Sequence, residues 1–346
     1  MIGLLSVLLG AAIAGAPPAD PIGPLRQAIW SACDELPSMP PDQPPPARWI
    51  AACDAQREPV IRQLWQIGHT GDPPARIQAL GLVAAWAPPQ RAQAALDRLI
   101  RSNRNKAALA PALEAAFAET RAPARRATLA RLITNTRSPA VAGAATYLLA
   151  ADTLTRSGAP AAERRQAKAS LHRVITRYGA LPTTLLGAGD PPRLGRAAAA
   201  LLFRIERLRA GQPLPPMSAE DLDGHPVSSA SMRGKVTLID FWATWCPPCV
   251  AAMPALRQLQ ATNARRNFQI VSISGDADRA TAKAFARRNG NHWPQWRVGP
   301  SGTVSPQWSN STFPYYILVN AAGRIVAADG NLPTVVARLP ATLEGE

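Results

Sequence analysis

The most constraining stretch of this chain is short. Val236-Thr237-Leu238-Ile239-Asp240-Phe241-Trp242 is rich in strand-forming residues, and Trp245-Cys246-Pro247-Pro248-Cys249 follows it directly. A nearly continuous apolar run of this length reads as a buried strand. The Pro-Pro pair suits a first helical turn, whose N–H groups lack helical partners anyway. A strand therefore feeds straight into a helix. Further strands are expected at 268–274, 315–319 and 323–328, with Ala321-Ala322-Gly323 as a hairpin turn. Helical patterns follow Cys249 and recur at 278–288 and 333–343. Strands alternating with helices require a sheet with helices on its faces, an α/β architecture.

Upstream the pattern changes. From 47 to 209 apolar residues recur near every 3.6 positions, as in Leu171, Val174, Ile175 and Tyr178, and β-branched clusters are absent. Prolines punctuate the run at Pro73-Pro74, Pro88-Pro89, Pro123, Pro139, Pro160 and Pro191-Pro192, where first helical turns tolerate them. This predicts an all-α domain of helical hairpins over 47–210, without a clean repeat. Residues 211–216 (GQPLPP) read as a linker into the α/β domain at 211–346. Residues 17–46 are Pro-rich, with a short helix expected near 24–33. The length of 346 residues suits two domains, since one core stops growing near roughly 250–300 residues.

Residues 1–16 (MIGLLSVLLGAAIAGA) are apolar and end in small residues. They read as a signal peptide or an N-terminal anchor, with Ala12-Ile13-Ala14 as the preferred cleavage site. Either reading exports the chain to an extracytoplasmic, oxidising compartment, such as a periplasm, where disulfides persist. Cys33 and Cys53 are then expected to form a structural disulfide; free thiols or a second redox pair are the other readings.

The formal charge of +15 raises the question of nucleic acid. No nucleic-acid motif accompanies it. Residues 1–210 carry 26 basic and 14 acidic residues, against 12 and 9 in 211–346. The excess thus belongs to the helical part, as a solvated Arg-rich surface or as a docking face for an acidic partner. No nucleic-acid partner is expected.

The chemistry lies in the Cys246–Cys249 pair. A cysteine at a helix N-terminus faces unpaired N–H groups and the positive end of the helix dipole, which favour its thiolate. Cys246 is therefore the attacking sulfur, and Cys249, one turn inside the helix and shielded, resolves the mixed disulfide. A zinc site is the weaker reading, because none of the four His lies at ligand spacing. No metal or other cofactor is expected.

Residues 213–346 resemble the thioredoxin fold in its exported TlpA/ResA-like branch. The resemblance is carried by 234–249 as strand and active site, by Asp221-Leu222-Asp223-Gly224-His225-Pro226-Val227 as an opening hairpin, and by Thr312-Phe313-Pro314 as a cis-proline loop. Asn320-Ala321-Ala322-Gly323-Arg324-Ile325 matches the hairpin after it. The resemblance implies that Pro314 is cis and flanks the sulfurs, and that the Phe313 backbone pairs with a bound substrate strand. Phe313 is bulkier than the usual residue and narrows access. Asp240 matches the buried acid of thioredoxin itself, able to take the resolving thiol's proton. Many TlpA-like sequences instead carry Asn there and Glu on the helix, where this chain has Ala252. Trp245 is expected at the active-site surface. Trp293, Trp296 and Trp308 are expected to pack the region before Pro314.

The leading functional expectation is an exported thiol–disulfide oxidoreductase that reduces disulfides of client proteins. It needs a separate membrane electron donor. The alternative is a partner-binding helical scaffold carrying a secondary redox module. A peroxidase is disfavoured, because Ala243 stands where a peroxiredoxin has Thr.

Overall fold

The computed structural model describes residues 22–33, 47–119, 124–156, 158–185, 193–276, 278–297 and 313–345. The expected export segment, most of the Pro-rich segment, Trp308 and Thr312 lie outside the described residues.

The N-terminal part is helical: α1 (Gly23–Ser31), α2 (Ala47–Thr70), α3 (Pro73–Trp86), α4 (Pro89–Asn103), α5 (Leu109–Glu119), α6 (Arg125–Asn135), α7 (Pro139–Thr155), α8 (Ala161–Tyr178) and α9 (Leu194–Arg207). Prolines open several of these helices. Pro73, Pro89 and Pro139 are first helical residues, and Pro160 is the cap before α8. Two starts are also capped by side chains: Asp72 accepts from the Ala75 N–H, and Ser138 from the Val141 N–H. Helix α2 is longer than the sequence spacing suggests, because it continues through Pro59.

The helices stack in chain order. α3 packs on α2, α4 and α5, and α7 packs on α5, α6 and α8. They share one core running from Ile22 to Leu202, with Leu64, Leu96, Leu113 and Leu171 among its fully buried members. Burying each such side chain contributes about 1.5–3 kcal/mol. Close approach is made by glycine at one crossing: a Cβ on Gly195 would lie 2.7 Å from the Gly179 Cα. Glu114 of α5 is buried and accepts from Thr183 Oγ1 and from both N–H and Oγ1 of Thr184, at 2.7–2.8 Å. The Arg-rich surface is partly self-neutralised. Asp152 takes both Arg125 and Arg126, Arg156 pairs with Glu163, and Lys168 with Glu206.

The C-terminal part is a seven-stranded mixed sheet. Its strands are β1 (Ser218–Asp221), β2 (Pro226–Ser228), β3 (Val236–Trp242), β4 (Phe268–Ser274), β5 (Gln295–Arg297), β6 (Tyr315–Val319) and β7 (Ile325–Asp329), in the order β2-β1-β5-β4-β3-β6-β7. The helices are α10 (Pro247–Thr262), α11 (Arg279–Arg288), α12 (Leu332–Val336) and α13 (Leu339–Glu344). β3 is central, parallel to β4 and antiparallel to β6, and all its residues are buried. This is the thioredoxin-type arrangement of a mixed sheet with its active-site helix following the central strand. The terminal helix expected at 333–343 is two short ones, with Pro340 in the first turn of α13. β5 has three residues, too few for a periodic signal.

Alternation along β3 sorts its side chains onto two faces. Val236 and Leu238 pack with Ala252 and Leu256 of α10 and with α12. Ile239 and Phe241 face the other way, into a cluster with Val271, Ile273 and Ile317. That second face is covered from the N-terminal side, by Leu208, Met217 and Met232, with Phe203 and Leu214 beside them. Residues 211–214 are hydrogen-bonded along the β7 hairpin: the Gly211 N–H donates to Ile325 O, the Ile325 N–H to Gln212 O, and the Leu214 N–H to Gly323 O.

Candidate redox site

β3 ends at Trp242 and α10 begins at Pro247, so the intervening turn presents Cys246 as the N-cap of α10. The Cys249 N–H donates to Cys246 Sγ at 3.3 Å. The two cysteines are disulfide-bonded, with Cα atoms 5.3 Å apart. Cys246 is 4% exposed and Cys249 2%. The sequence anticipates a contrast, with the attacking sulfur open and the resolving one shielded. In the oxidised pair both are shielded, within a cluster that includes Leu222, Trp242, Met253 and Ala282. Trp245 is 57% exposed, and its ring meets Phe313 edge-on at 5.5 Å. Phe313 packs against the cluster that holds Cys246, Cys249, Trp242 and Met253.

The Phe313–Pro314 bond is cis. Phe313 has a seat made by an absent side chain: a Cβ on Gly275 would lie 2.5 Å from Phe313 Cζ. Gly275 stands just after β4, and its N–H donates to Trp242 O. Its neighbour Asp276 holds the turn before the cysteines, accepting from the Thr244 N–H and from Thr244 Oγ1 at 2.6 Å. Sequence reading missed both residues. A Ser-Gly-Asp step after an apolar strand has no periodic signature, and its role depends on a segment about forty positions away.

Asp240 lies on the α10 side of β3, between Leu238 and Trp242 in the same alternation. It is 2% exposed. Ser272 of β4, its register partner, donates from Oγ to Asp240 Oδ2 at 2.7 Å, and Trp293 Nε1 donates to Ser272 Oγ at 2.8 Å. Tyr316 stands opposite on β6. Burial pushes the Asp240 carboxyl up to about 7, and the single Ser272 hydrogen bond offsets only part of that. A carboxyl that titrates near neutrality suits proton exchange.

The remaining expected residues fall elsewhere. Cys33 and Cys53 are disulfide-bonded, between the end of α1 and α2, with Cα atoms 5.1 Å apart. Trp293 packs beneath α10 and Trp296 on the opposite face of the sheet. His225 pairs with Asp221 on the β1–β2 hairpin. Among the described residues no group of three or more His, Cys, Asp or Glu could hold a metal ion, and no helix is long and apolar enough to cross a membrane. A cleft of about 510 Å³ lies between the β1–β2 hairpin and α11, lined by Leu222, Lys283, Asn291, Gln295 and Trp296 among others, and neither Cys246 nor Cys249 lines it.

Residues 209–331 match the Redoxin family model. The chain is similar to the thiol-disulfide oxidoreductase ResA of Halalkalibacterium halodurans, 28% identical over 118 residues, covering 34% of this chain and 66% of that one. It is also similar to ResA of Bacillus cereus, 23% identical over 121 residues, covering 35% of this chain and 69% of that one. The chain thus spans about two thirds of the length of these relatives. The thioredoxin domain of a thiol-disulfide oxidoreductase from Bacteroides vulgatus aligns over 38% of this chain and 98% of its own, at 27% identity and a TM-score of 0.35.

Proposed function

We propose that this chain, a thiol–disulfide oxidoreductase of TlpA/ResA-like kind by its redoxin domain, is an exported reductant of client-protein disulfides. The observation that carries the reading is the placement of Cys246 as the N-cap of α10, receiving the Cys249 N–H, on a sheet face that also holds a buried acid. In the reduced pair the helix N-terminus favours the Cys246 thiolate. That thiolate attacks one sulfur of a client disulfide. A mixed disulfide forms and the other client sulfur leaves as a thiolate. Cys249 then gives its proton to the Asp240 carboxylate and attacks Cys246 Sγ. The second client sulfur leaves, the Cys246–Cys249 disulfide forms, and two electrons have passed to the client.

Trp245, Phe313 and the cis Pro314 form the client-facing surface, and an extended client segment would pair with the backbone there. The dithiol lies away from the cleft and beside the exposed Trp245, which favours a macromolecular disulfide over a small enclosed ligand. Each turnover leaves the pair oxidised. An exported chain needs a separate membrane donor to reduce it again. Residues 1–16 support export, and the Arg-rich helical surface supports an acidic partner.

The test is exchange by the pre-reduced full chain with insulin. The expected result is reduction of insulin, complete loss in Cys246→Ser, and accumulation of a mixed disulfide in Cys249→Ser. Wild-type chain that exchanges with no disulfide overturns the reading. The equilibrium potential reports direction: roughly −270 mV for a reductant, roughly −120 mV for an oxidant.

A further inference from the structure

The end of α9 packs on two cores, with Ile205 against the helical one. Phe203 packs into the cluster on the sheet face opposite α10, and Leu208 is buried there. Between them, the Arg204 guanidinium lies over the Tyr315 ring at 5.3 Å from its centroid. Tyr315 is 9% exposed, opens β6, and immediately follows the cis Pro314. The chain just beyond α9 is fastened too. Besides the backbone pairing of 211–214, Arg324 Nη1 donates to Gly211 O at 3.1 Å. The helical part is therefore joined to the redox part at two places: along the β7 hairpin through 211–214, and through Arg204 at the strand that carries the cis-proline loop.

We infer that Arg204 is a positioning residue for client binding, through which the helical part braces Tyr315 and so sets the Phe313–Pro314 loop against which a client disulfide segment docks. This rests on the reductant reading above. A guanidinium over an aromatic face resists tilting of the ring, since tilting moves the cation off the face it is attracted to. Tyr315 is one peptide bond from Pro314, so motion of the ring at the start of β6 passes directly to the loop. A protein client uses the loop. A small aromatic disulfide, which needs only the Cys246 thiolate, does not.

The test uses full-length Arg204→Met, which keeps an apolar stem but removes the cation, and Arg204→Lys, which restores a cation. Arg207→Met, an exposed change on the same helix turn, is the control. Insulin reduction with dithiothreitol as electron source gives kcat and KM. The pre-reduced chain with 5,5′-dithiobis(2-nitrobenzoate) gives the rate with a small disulfide. The expected result for Arg204→Met is an insulin KM raised about fivefold, as loss of a ~1 kcal/mol cation–π contact would give. Its kcat, small-disulfide rate and redox potential should match the wild type, and Arg204→Lys should recover most of the loss. A wild-type KM in Arg204→Met overturns the inference. So does an equal loss toward both disulfides with a lowered melting temperature, which marks a merely structural contact. A wild-type chain inert toward both disulfides sinks the reductant reading itself.

Discussion

The two regions of this molecule each contain one disulfide and at least one buried acid, and use Glu114 and Asp240 differently. In the helical part the disulfide spans 20 residues, from Cys33 to Cys53. In the sheet part it spans 3, from Cys246 to Cys249, at a helix start. A bond closing a long loop restricts the unfolded chain, whereas one closing a single turn restricts little and leaves its sulfurs beside a helix N-terminus. The acids differ in the same sense. Glu114 is buried but receives three hydrogen bonds from Thr183 and Thr184. Asp240 receives one, from Ser272, and its carboxyl sits near 7. Burial raises both carboxyls. A carboxylate supplied with donors is a structural tie; one left short of them titrates where chemistry is done.

The sharpest way to break that contrast is Asp240→Asn. The native-state carboxyl is raised above its unfolded value near 3.8, so the folded chain holds a proton that the unfolded chain has lost. Stability therefore falls as pH rises from about 4 to about 7, and levels off above that. Removing the charge should abolish this slope and stabilise the protein at pH 8, by at most ~4 kcal/mol for a shift of about three pH units. Resolution of the mixed disulfide should slow in the same variant. Denaturant unfolding at pH 5 and pH 8 would check the first effect, and single-turnover exchange the second. An unchanged pH slope would return Asp240 to a structural role.

Replacing both Cys33 and Cys53 by Ser should cost ~3 kcal/mol in the chain-entropy model and leave insulin exchange by Cys246 and Cys249 intact. Loss of exchange at full stability would instead make the first pair a redox relay. Glu114→Gln is the helical counterpart of the Asp240 change. Its amide N–H₂ would face one of the three donors, leaving a buried group unpaired at a cost of about 1–3 kcal/mol. Denaturant unfolding should show that loss, and exchange should be unaffected. Gly275→Ala should cost about 1–2 kcal/mol by overpacking against Phe313. It should also alter the insulin KM, with Phe313→Leu in the same background relieving the clash. Thermal unfolding and steady-state kinetics on the two variants would show whether Gly275 is a seat for that ring.

Much of this could be read from the chain. Proline punctuation and 3.6-residue spacing marked the helical region, and the run 236–242 marked the central strand before any register was known. The redox pair was visible because its chemistry depends on residues adjacent in sequence: a cysteine, two prolines and a cysteine opening a helix. Asp240 was legible through the resemblance, since it stands where thioredoxin carries its buried acid. Gly275, Asp276 and Ser272 were not, because each acts on a residue some 30–40 positions away and none breaks a local pattern. The similar shielding of the two sulfurs was also hidden, since the cluster that buries them draws on Leu222, Ala282 and Phe313 from distant segments.

Sequence alone determined the two classes of structure and the identity of the reactive pair, because hydrophobic period and helix-start chemistry are local. Tertiary structure decided which buried acid is short of hydrogen-bond donors, where the Phe313 ring is seated, and that α9 ends against Tyr315. Those outcomes depend on distant segments meeting at a few ångströms, and local pattern carries no record of such meetings.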